Sequence, residues 1–233
     1  MTEFAYRTRK IGSAVLAVLL SLLAGSELYG QSPESDNKQA NTNEKMEIHS
    51  HHHHNQSGMS VAEPLDDRSV YQLGREWTDH RGESIQLDQF LGNPVILVMF
   101  YGSCREVCPI LIQDSWRLYR EVDERVRESV SVVAVTFDTE KDTPDVLMEY
   151  AEKERLNLSN WYFVTSTPRA VRELATVLGV QYRKRSDGMY DHSNLVAVLD
   201  KQGVVAARIE GLGRPVEKAA GEIEQMVQRE ESR

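Results

Sequence analysis

The order of the apolar segments predicts an α/β fold in which a mixed β-sheet is sandwiched by helices. Residues 94–101 and 130–137 are continuous apolar runs, as expected for strands that are covered on both faces. Between them, apolar residues from Leu111 to Val126 repeat at helical spacing and form one stripe. Strand, helix and parallel strand together predict a right-handed crossover unit, the building block of α/β proteins.

The next elements follow in the same alternating order. A short N-terminal hairpin precedes the first long strand. After the second strand, Thr143, Pro144 and Asp145 supply a hydroxyl cap, a first-turn proline and an acid near the positive end of a helix dipole. Residues 161–165 then predict a short strand. Apolar residues between Val171 and Leu178 predict a further helix, which Gly179 ends.

The last elements complete the predicted sheet. Residues 195–199 and 204–209 are strands joined by a turn at 200–203, which indicates an antiparallel hairpin. A C-terminal helix follows, with an apolar face that includes Val216 and Val227. The sequence contains no internal repeats. The order hairpin, βαβ, αβα, ββ and α is that of a thioredoxin-like fold.

Composition and charge narrow the functional classes. The chain has 233 residues, of which 40% are hydrophobic and 27% charged, as in soluble globular proteins. A net charge of −9 argues against general nucleic-acid binding. Two cysteines are too few for a disulfide framework, and a single pair in a chain of this size favours redox or metal chemistry.

Residues 1–26 have the pattern of a signal peptide or an N-terminal membrane anchor. Arg7, Arg9 and Lys10 precede the apolar run 11–24, and small residues at 24–26 fit a cleavage site. Ser26 stands where a lipoprotein signal requires cysteine, which excludes lipid anchoring. We therefore expect an exported protein, located in the periplasm or on the outer face of the cytoplasmic membrane.

Residues 27–62 predict a disordered tether, and residues 63–233 the folded domain. The tether is polar and nearly free of apolar residues, so it cannot bury enough surface to offset the entropy of ordering. It contains five histidines in the run 49–54, which is either an expression tag or a native segment. If it is native, flexible imidazoles of this kind would bind divalent copper or zinc loosely.

Cys104 and Cys108 follow the strand that ends near residue 101, where α/β folds form their sites. We expect a turn from Cys104 to Val107 and a helix that begins at Pro109, because proline lacks the backbone donor of an interior position. Both sulfurs then lie near a helix N-terminus, which favours thiolate. A structural disulfide is the alternative, although so short a loop constrains the unfolded chain little.

Two histidines in the folded part differ in context. His80 lies in a polar turn before a strand, and we expect it to be solvated surface. His192 directly precedes the apolar strand 195–199. Its position fits either a structural histidine whose ring nitrogens are hydrogen-bonded or a metal ligand.

Three motifs in this order resemble the Sco/SenC family, copper-handling proteins of cytochrome c oxidase assembly. Residues 100–109 resemble its CxxxCP motif, 135–144 its V-D-P-x-x-D-T-P stretch, and 190–200 its D-H-S/T segment before a strand. Residues 77–92 resemble the shared entry to thioredoxin-like domains. Two positions depart from the family pattern: Thr139 replaces the usual proline, and Gly102 stands where Thr or Ser is common.

The resemblance implies that Cys104, Cys108 and His192 are copper ligands. Soft thiolates select Cu(I), and one imidazole completes a three-coordinate site or stabilises Cu(II). Asp191 or Asp138 is a candidate for orienting the imidazole. Asp138 has an alternative role, which it shares with Asp142: capping the loop and helix that follow.

The sequence supports two functional hypotheses from different classes. The first is a metallochaperone that delivers copper to a cytochrome c oxidase subunit (a CuA-type site) or another cuproprotein acceptor near the membrane. The second is a thiol-disulfide oxidoreductase, with Cys104 and Cys108 as catalytic residues that reduce the acceptor's copper-ligand cysteines. A peroxidase fits less well, because no separate resolving cysteine is present. Copper binding requires both cysteines as thiolates, so a disulfide between Cys104 and Cys108 would exclude copper. A thiol reductant must therefore reduce this disulfide before copper is bound.

Overall fold

The computed structural model describes residues 64–231 of the chain. The predicted signal or anchor (1–26) and the histidine-containing tether (27–62) lie outside the described residues, so both stay predictions. None of the helices in the described part combines the length and the apolar composition needed to cross a bilayer.

A seven-stranded mixed sheet forms the centre of the fold, in the order β2-β1-β5-β4-β3-β8-β9. Strands β3, β4 and β5 run parallel, whereas β1, β2, β8 and β9 each pair antiparallel with a neighbour. The two remaining strands, β6 and β7, form a separate antiparallel pair. The strands are β1 Glu76–Asp79, β2 Ser84–Gln86, β3 Val95–Phe100, β4 Ser131–Thr136, β5 Trp161–Thr165, β6 Tyr182–Lys184, β7 Tyr190–His192, β8 Leu195–Leu199 and β9 Val205–Glu210.

Within residues 64–231, five α-helices accompany the sheet and complete the predicted thioredoxin-like architecture. Helices α1 and α5 pack on each other, α1 against β3 and β8, and α5 against β9, whereas α3 packs against β1 and β5. All side chains of β3 are buried, and so are those of β4 apart from the half-buried Ser131, as the continuous apolar runs predicted. The helices are α1 Val107–Glu121, α2 Glu124–Arg127, α3 Pro144–Lys153, α4 Pro168–Leu178 and α5 Glu217–Glu231.

The helix boundaries confirm the predicted caps of α3 and α4. The Thr143 hydroxyl accepts a hydrogen bond from the backbone N–H of Val146 at 3.4 Å, so α3 begins at Pro144. Helix α4 ends at Gly179, which adopts a left-handed conformation with φ 67°. Glycine reaches this conformation without the steric penalty of a β-carbon.

The structure corrects the predicted start of α1, which begins at Val107 and not at Pro109. Cys108 therefore lies inside the first helical turn, and Pro109 follows it there. The first N–H groups of a helix have no acceptor within the helix, so a proline in this turn breaks no helical hydrogen bond. Because Pro109 needs no backbone N–H at this position, the helix can begin two residues earlier than we expected.

His80 is a second correction, because it is buried with 2% of its surface exposed. Its Nδ1 accepts from the backbone N–H of Phe163 at 3.4 Å, and its Nε2 lies 3.3 Å from the Asn157 Oδ1 atom. Burial is the largest influence on the His80 pKa, followed by the nearby Arg81, and both lower it. The polar turn around this residue gave no indication that the strand pairing of β1 with β5 would cover it.

Candidate metal centre

The sheet topology brings three chain segments to one edge. Strands β3 and β4 are parallel, so their carboxyl ends, Phe100 and Thr136, lie side by side. Strand β8 is antiparallel to β3, with Val98 opposite Val196, so the amino end of β8 lies at this same edge. The segment before β8 carries His192, and the segment after β3 carries both cysteines.

Cys104 and Cys108 are held next to each other at the start of α1. Cys104 lies in the loop after β3, where its backbone N–H donates to the carbonyl of Tyr101 at 3.2 Å. Its sulfur accepts from the backbone N–H of Cys108 at 3.4 Å. Both side chains are buried, with 5% of Cys104 and none of Cys108 exposed, and both are free thiols.

His192 meets Cys108 through the β6–β7 pair, a hairpin that the sequence analysis did not predict. His192 ends β7, and Tyr182 of β6 pairs with it. Its Nε2 atom lies 3.4 Å from the Cys108 sulfur, and its Nδ1 atom 3.0 Å from the backbone carbonyl of Ser193. A carbonyl only accepts hydrogen bonds, so Nδ1 carries the proton and Nε2 presents its lone pair to the thiol.

The two thiols have opposite pKa shifts. Burial raises the pKa of the Cys104 thiol, but hydrogen bonds from the backbone N–H groups of Cys108 and Glu106 outweigh it, so that this pKa lies below its usual value. Burial, the largest influence, raises the pKa of Cys108, and the neighbouring Cys104 adds to the rise. Cys104 is therefore the better nucleophile of the pair, and Cys108 keeps its proton.

The geometry of these donors fits a metal ion. An imidazole nitrogen and a thiolate sulfur that bind one ion at about 2.0 and 2.3 Å lie about 3.5 Å apart at a tetrahedral angle. The Cys108–His192 separation is already 3.4 Å. Across residues 64–231, no three His, Cys, Asp or Glu side chains are grouped tightly enough to hold an ion as they stand.

Neither carboxylate proposed from the sequence orients the imidazole, which is a correction. Asp191 forms ion pairs with Arg183 at 3.0 Å and Arg185 at 3.8 Å. The buried Asp138 carboxylate lies 3.6 Å from the Lys141 ammonium group. The backbone carbonyl of the next residue, Ser193, takes the orienting role.

The Asp142 carboxylate is hydrogen-bonded to the loop that carries Cys104, and it does not act as a simple helix cap. Its Oδ2 atom accepts from the backbone N–H of Gly102 at 2.8 Å and from the Thr136 hydroxyl. Burial raises the pKa of Asp142, and these two hydrogen bonds oppose the rise. A β-carbon on Gly102 would lie 3.0 Å from Asp142 Oδ1, so any other residue here would require the carboxylate to shift by a few tenths of an ångström.

A cleft of about 290 Å³ opens beside Cys104 and is lined by residues that the sequence analysis missed. Tyr101 and Met189 line it together with Cys104 and His192. Burial raises the pKa of Tyr101 to about 12, so its hydroxyl stays protonated and remains a donor. A methionine and a tyrosine at such separation in the sequence give no motif, and only the folded chain places them together.

Solved structures share this arrangement of elements. Bradyrhizobium japonicum ScoI with copper bound superposes with a TM-score of 0.53, at 21% identity, over 65% of this chain and 96% of that one. BsSco, a member of the Sco family of cytochrome c oxidase assembly proteins, gives 0.56 at 18% identity, over 66% and 91%. At these identities the likeness establishes the thioredoxin-like fold.

The sequence comparisons extend over most of the folded part. A SCO2-like protein of Rickettsia prowazekii is 25% identical over 134 residues, which are 55% of this chain and 63% of that protein. The chain thus spans less than two thirds of that relative. The family model described as SCO1/SenC matches residues 67–228, well over half of the chain. The chain belongs to the SCO1/SenC family.

Proposed function

We propose that this protein is a copper metallochaperone: it binds one copper ion through Cys104, Cys108 and His192 and delivers it to a CuA-type site during cytochrome c oxidase assembly. The observation that carries the proposal is the contact between the Cys108 sulfur and the unprotonated Nε2 atom of His192. In the metal-free protein the Cys108 thiol donates to this nitrogen. A copper ion takes the place of that proton between the same two atoms.

The donor set suits copper in its cuprous form. Two thiolates are soft ligands that select Cu(I), and the imidazole adds a third donor that also accommodates Cu(II). Binding requires both thiols to lose their protons, which compensates the charge of the ion inside a buried site. A disulfide between Cys104 and Cys108 removes both thiolates, so copper loading depends on prior reduction by a thiol reductant.

The comparisons support a role in handling copper for the respiratory oxidase. Bradyrhizobium ScoI has been solved with copper, and BsSco belongs to a family of cytochrome c oxidase assembly proteins. For this chain, the acceptor is a cytochrome c oxidase subunit or another cuproprotein. The predicted export segment and tether favour a location outside the cytoplasm and close to the membrane, where such an acceptor is reached.

Copper stoichiometry tests the proposal once the histidine run is removed as a competing binder. The parent is the full chain with His49 and the histidines at 51–54 replaced by serine, reduced and loaded with Cu(I). We expect one copper per chain by elemental analysis, and loss of tight binding in C104S, C108S and H192A. The matched control H80Q replaces the other histidine of the folded part, which is bonded to Asn157 and Phe163, and should keep one copper. Undiminished tight binding in all three ligand variants would contradict the proposal.

Thiol-disulfide exchange is a second candidate function, favoured by the lowered pKa of Cys104. A thiolate at Cys104 attacks an acceptor disulfide, and Cys108 then displaces the acceptor thiol to leave a Cys104–Cys108 disulfide. The imidazole is not needed for this exchange but is needed for ligation. H192A therefore separates the two functions: a variant that still reduces an oxidised CuA-type peptide but binds no copper would assign exchange to the cysteine pair alone.

A further inference from the structure

Met189 places a thioether in the cleft that contains Cys104 and His192. The Tyr101 hydroxyl donates to the Met189 sulfur at 3.9 Å. The Tyr101 ring lies edge-on to the His192 ring, with 6.1 Å between their centroids. Met189 therefore lies beside Tyr101 in the same cleft as two of the proposed copper ligands, Cys104 and His192.

The turn between β6 and β7 fixes the backbone of Met189 and leaves its side chain adjustable. The backbone N–H of Met189 donates to the Asp187 carboxylate at 3.0 Å, and its carbonyl accepts from the N–H of Arg185 at 2.7 Å. Gly188 completes the turn with φ +84°. Three rotatable bonds then let the thioether move within the cleft without any change in the hairpin.

We propose that the Met189 thioether is a further ligand of Cu(I) at this site, beside Cys104, Cys108 and His192. The inference rests on the proposed copper function and adds a donor to it. A thioether is soft and neutral, so it binds Cu(I) without losing a proton and contributes little to Cu(II). The ligand set becomes three sulfurs and one nitrogen for the cuprous ion.

If Met189 had only a structural role, its replacement would have a different effect on copper binding. The side chain is half-buried and packs against the core, which leucine does about as well because it is similar in volume. If Met189 only packs, M189L leaves copper binding unchanged. If the sulfur is a ligand, M189L weakens Cu(I) binding and leaves Cu(II) binding as it was.

The experiment combines affinities with a spectroscopic signature in the full-length, serine-substituted parent. Cu(I) affinity is measured by competition with a colorimetric Cu(I) chelator, and Cu(II) affinity with an amino-acid competitor. We expect the M189L substitution to lower the Cu(I) affinity about tenfold. This is the lower end of the loss in metal affinity that follows when a supporting contact at a metal site is removed. M226L, which removes a half-buried thioether from α5, is the matched control and should match the parent.

Selenium absorption spectroscopy tests the same contact directly in the parent protein. Selenomethionine-labelled parent loaded with Cu(I) should show a copper neighbour at bonding distance from selenium, and labelled M189L should lack it. Absence of that neighbour in the parent, its persistence in M189L, or equal Cu(I) affinity of parent and M189L would overturn the Met189 assignment. The proposed function would still stand if C104S, C108S and H192A lost copper. A parent that bound no Cu(I) would overturn both.

Discussion

The Asp142 carboxylate accepts a hydrogen bond from the backbone N–H of Gly102 at 2.8 Å, across 40 residues of sequence. Gly102 begins the loop that carries Cys104, and Asp142 precedes α3. The same carboxylate oxygen accepts from the Thr136 hydroxyl at the end of β4. One buried acceptor thus connects the cysteine loop to the neighbouring parallel strand and holds the loop in place.

Replacement of Asp142 should separate its role as an acceptor from its charge. D142A leaves the buried Thr136 hydroxyl and the half-buried Gly102 N–H without this acceptor, and we expect a loss of about 1–3 kcal/mol in the free energy of unfolding. D142N keeps an amide oxygen for both donors and removes a carboxylate whose pKa burial has raised, so at pH 7 it should be as stable as the parent or more so. Denaturant unfolding at pH 7 measures both. Equal losses in the two variants would show that the charge matters and the acceptor does not.

His80 should make the stability of the domain depend on pH. Its pKa in the folded protein is below the usual 6.5, so the unfolded chain binds the proton more tightly. The stability due to the neutral ring is complete above about pH 6.5 and declines as the pH falls towards the folded pKa. H80Q cannot titrate, and the difference in unfolding free energy between parent and H80Q should change over this interval. A constant difference from pH 7.5 to 5 would contradict the predicted linkage.

Cys104 and Cys108 should react with alkylating agents at different rates. Cys104 is slightly exposed and its pKa is lowered, whereas Cys108 is fully buried and its pKa is raised. We expect iodoacetamide to modify Cys104 at least about tenfold faster at pH 7.5, because the thiolate is the reactive form. Mass spectrometry of peptides from the reduced protein measures each rate, and urea-unfolded protein provides the control with similar rates. Faster modification of Cys108 in the folded protein would contradict the assignment.

The imidazole of His192 should be protonated at Nδ1 in the metal-free, reduced protein. The Ser193 carbonyl requires this proton, which leaves Nε2 for Cys108 and for copper. Two-bond ¹⁵N–¹H spectra at pH 8 distinguish the two neutral tautomers, and Cu(I) loading should shift the Nε2 resonance more than that of Nδ1. An Nε2–H tautomer, or a larger shift at Nδ1, would reverse the ligand assignment.

Much of the fold follows from patterns that are local in the sequence. The buried runs of β3 and β4, the Thr143 cap and the left-handed Gly179 each depend on residues close together in the chain, and the structure confirms them. The spacing of Cys104 and Cys108 is local in the same way, because four residues keep two thiols within reach at the start of a helix. These features can be predicted from the sequence because backbone propensity and apolar periodicity act over a few residues.

Tertiary structure alone decided which distant groups meet. The short β6–β7 strands have no strong periodicity, yet their pairing carries His192 to Cys108 and Met189 to the cleft. The burial of His80 and the hydrogen bond from Gly102 to Asp142 likewise depend on strand order. Such contacts join segments tens of residues apart, and their geometry is fixed only when the strands pair and the core excludes water. The sequence therefore determined which side chains are available as metal-binding groups, and the packing of the sheet determined how these side chains are oriented.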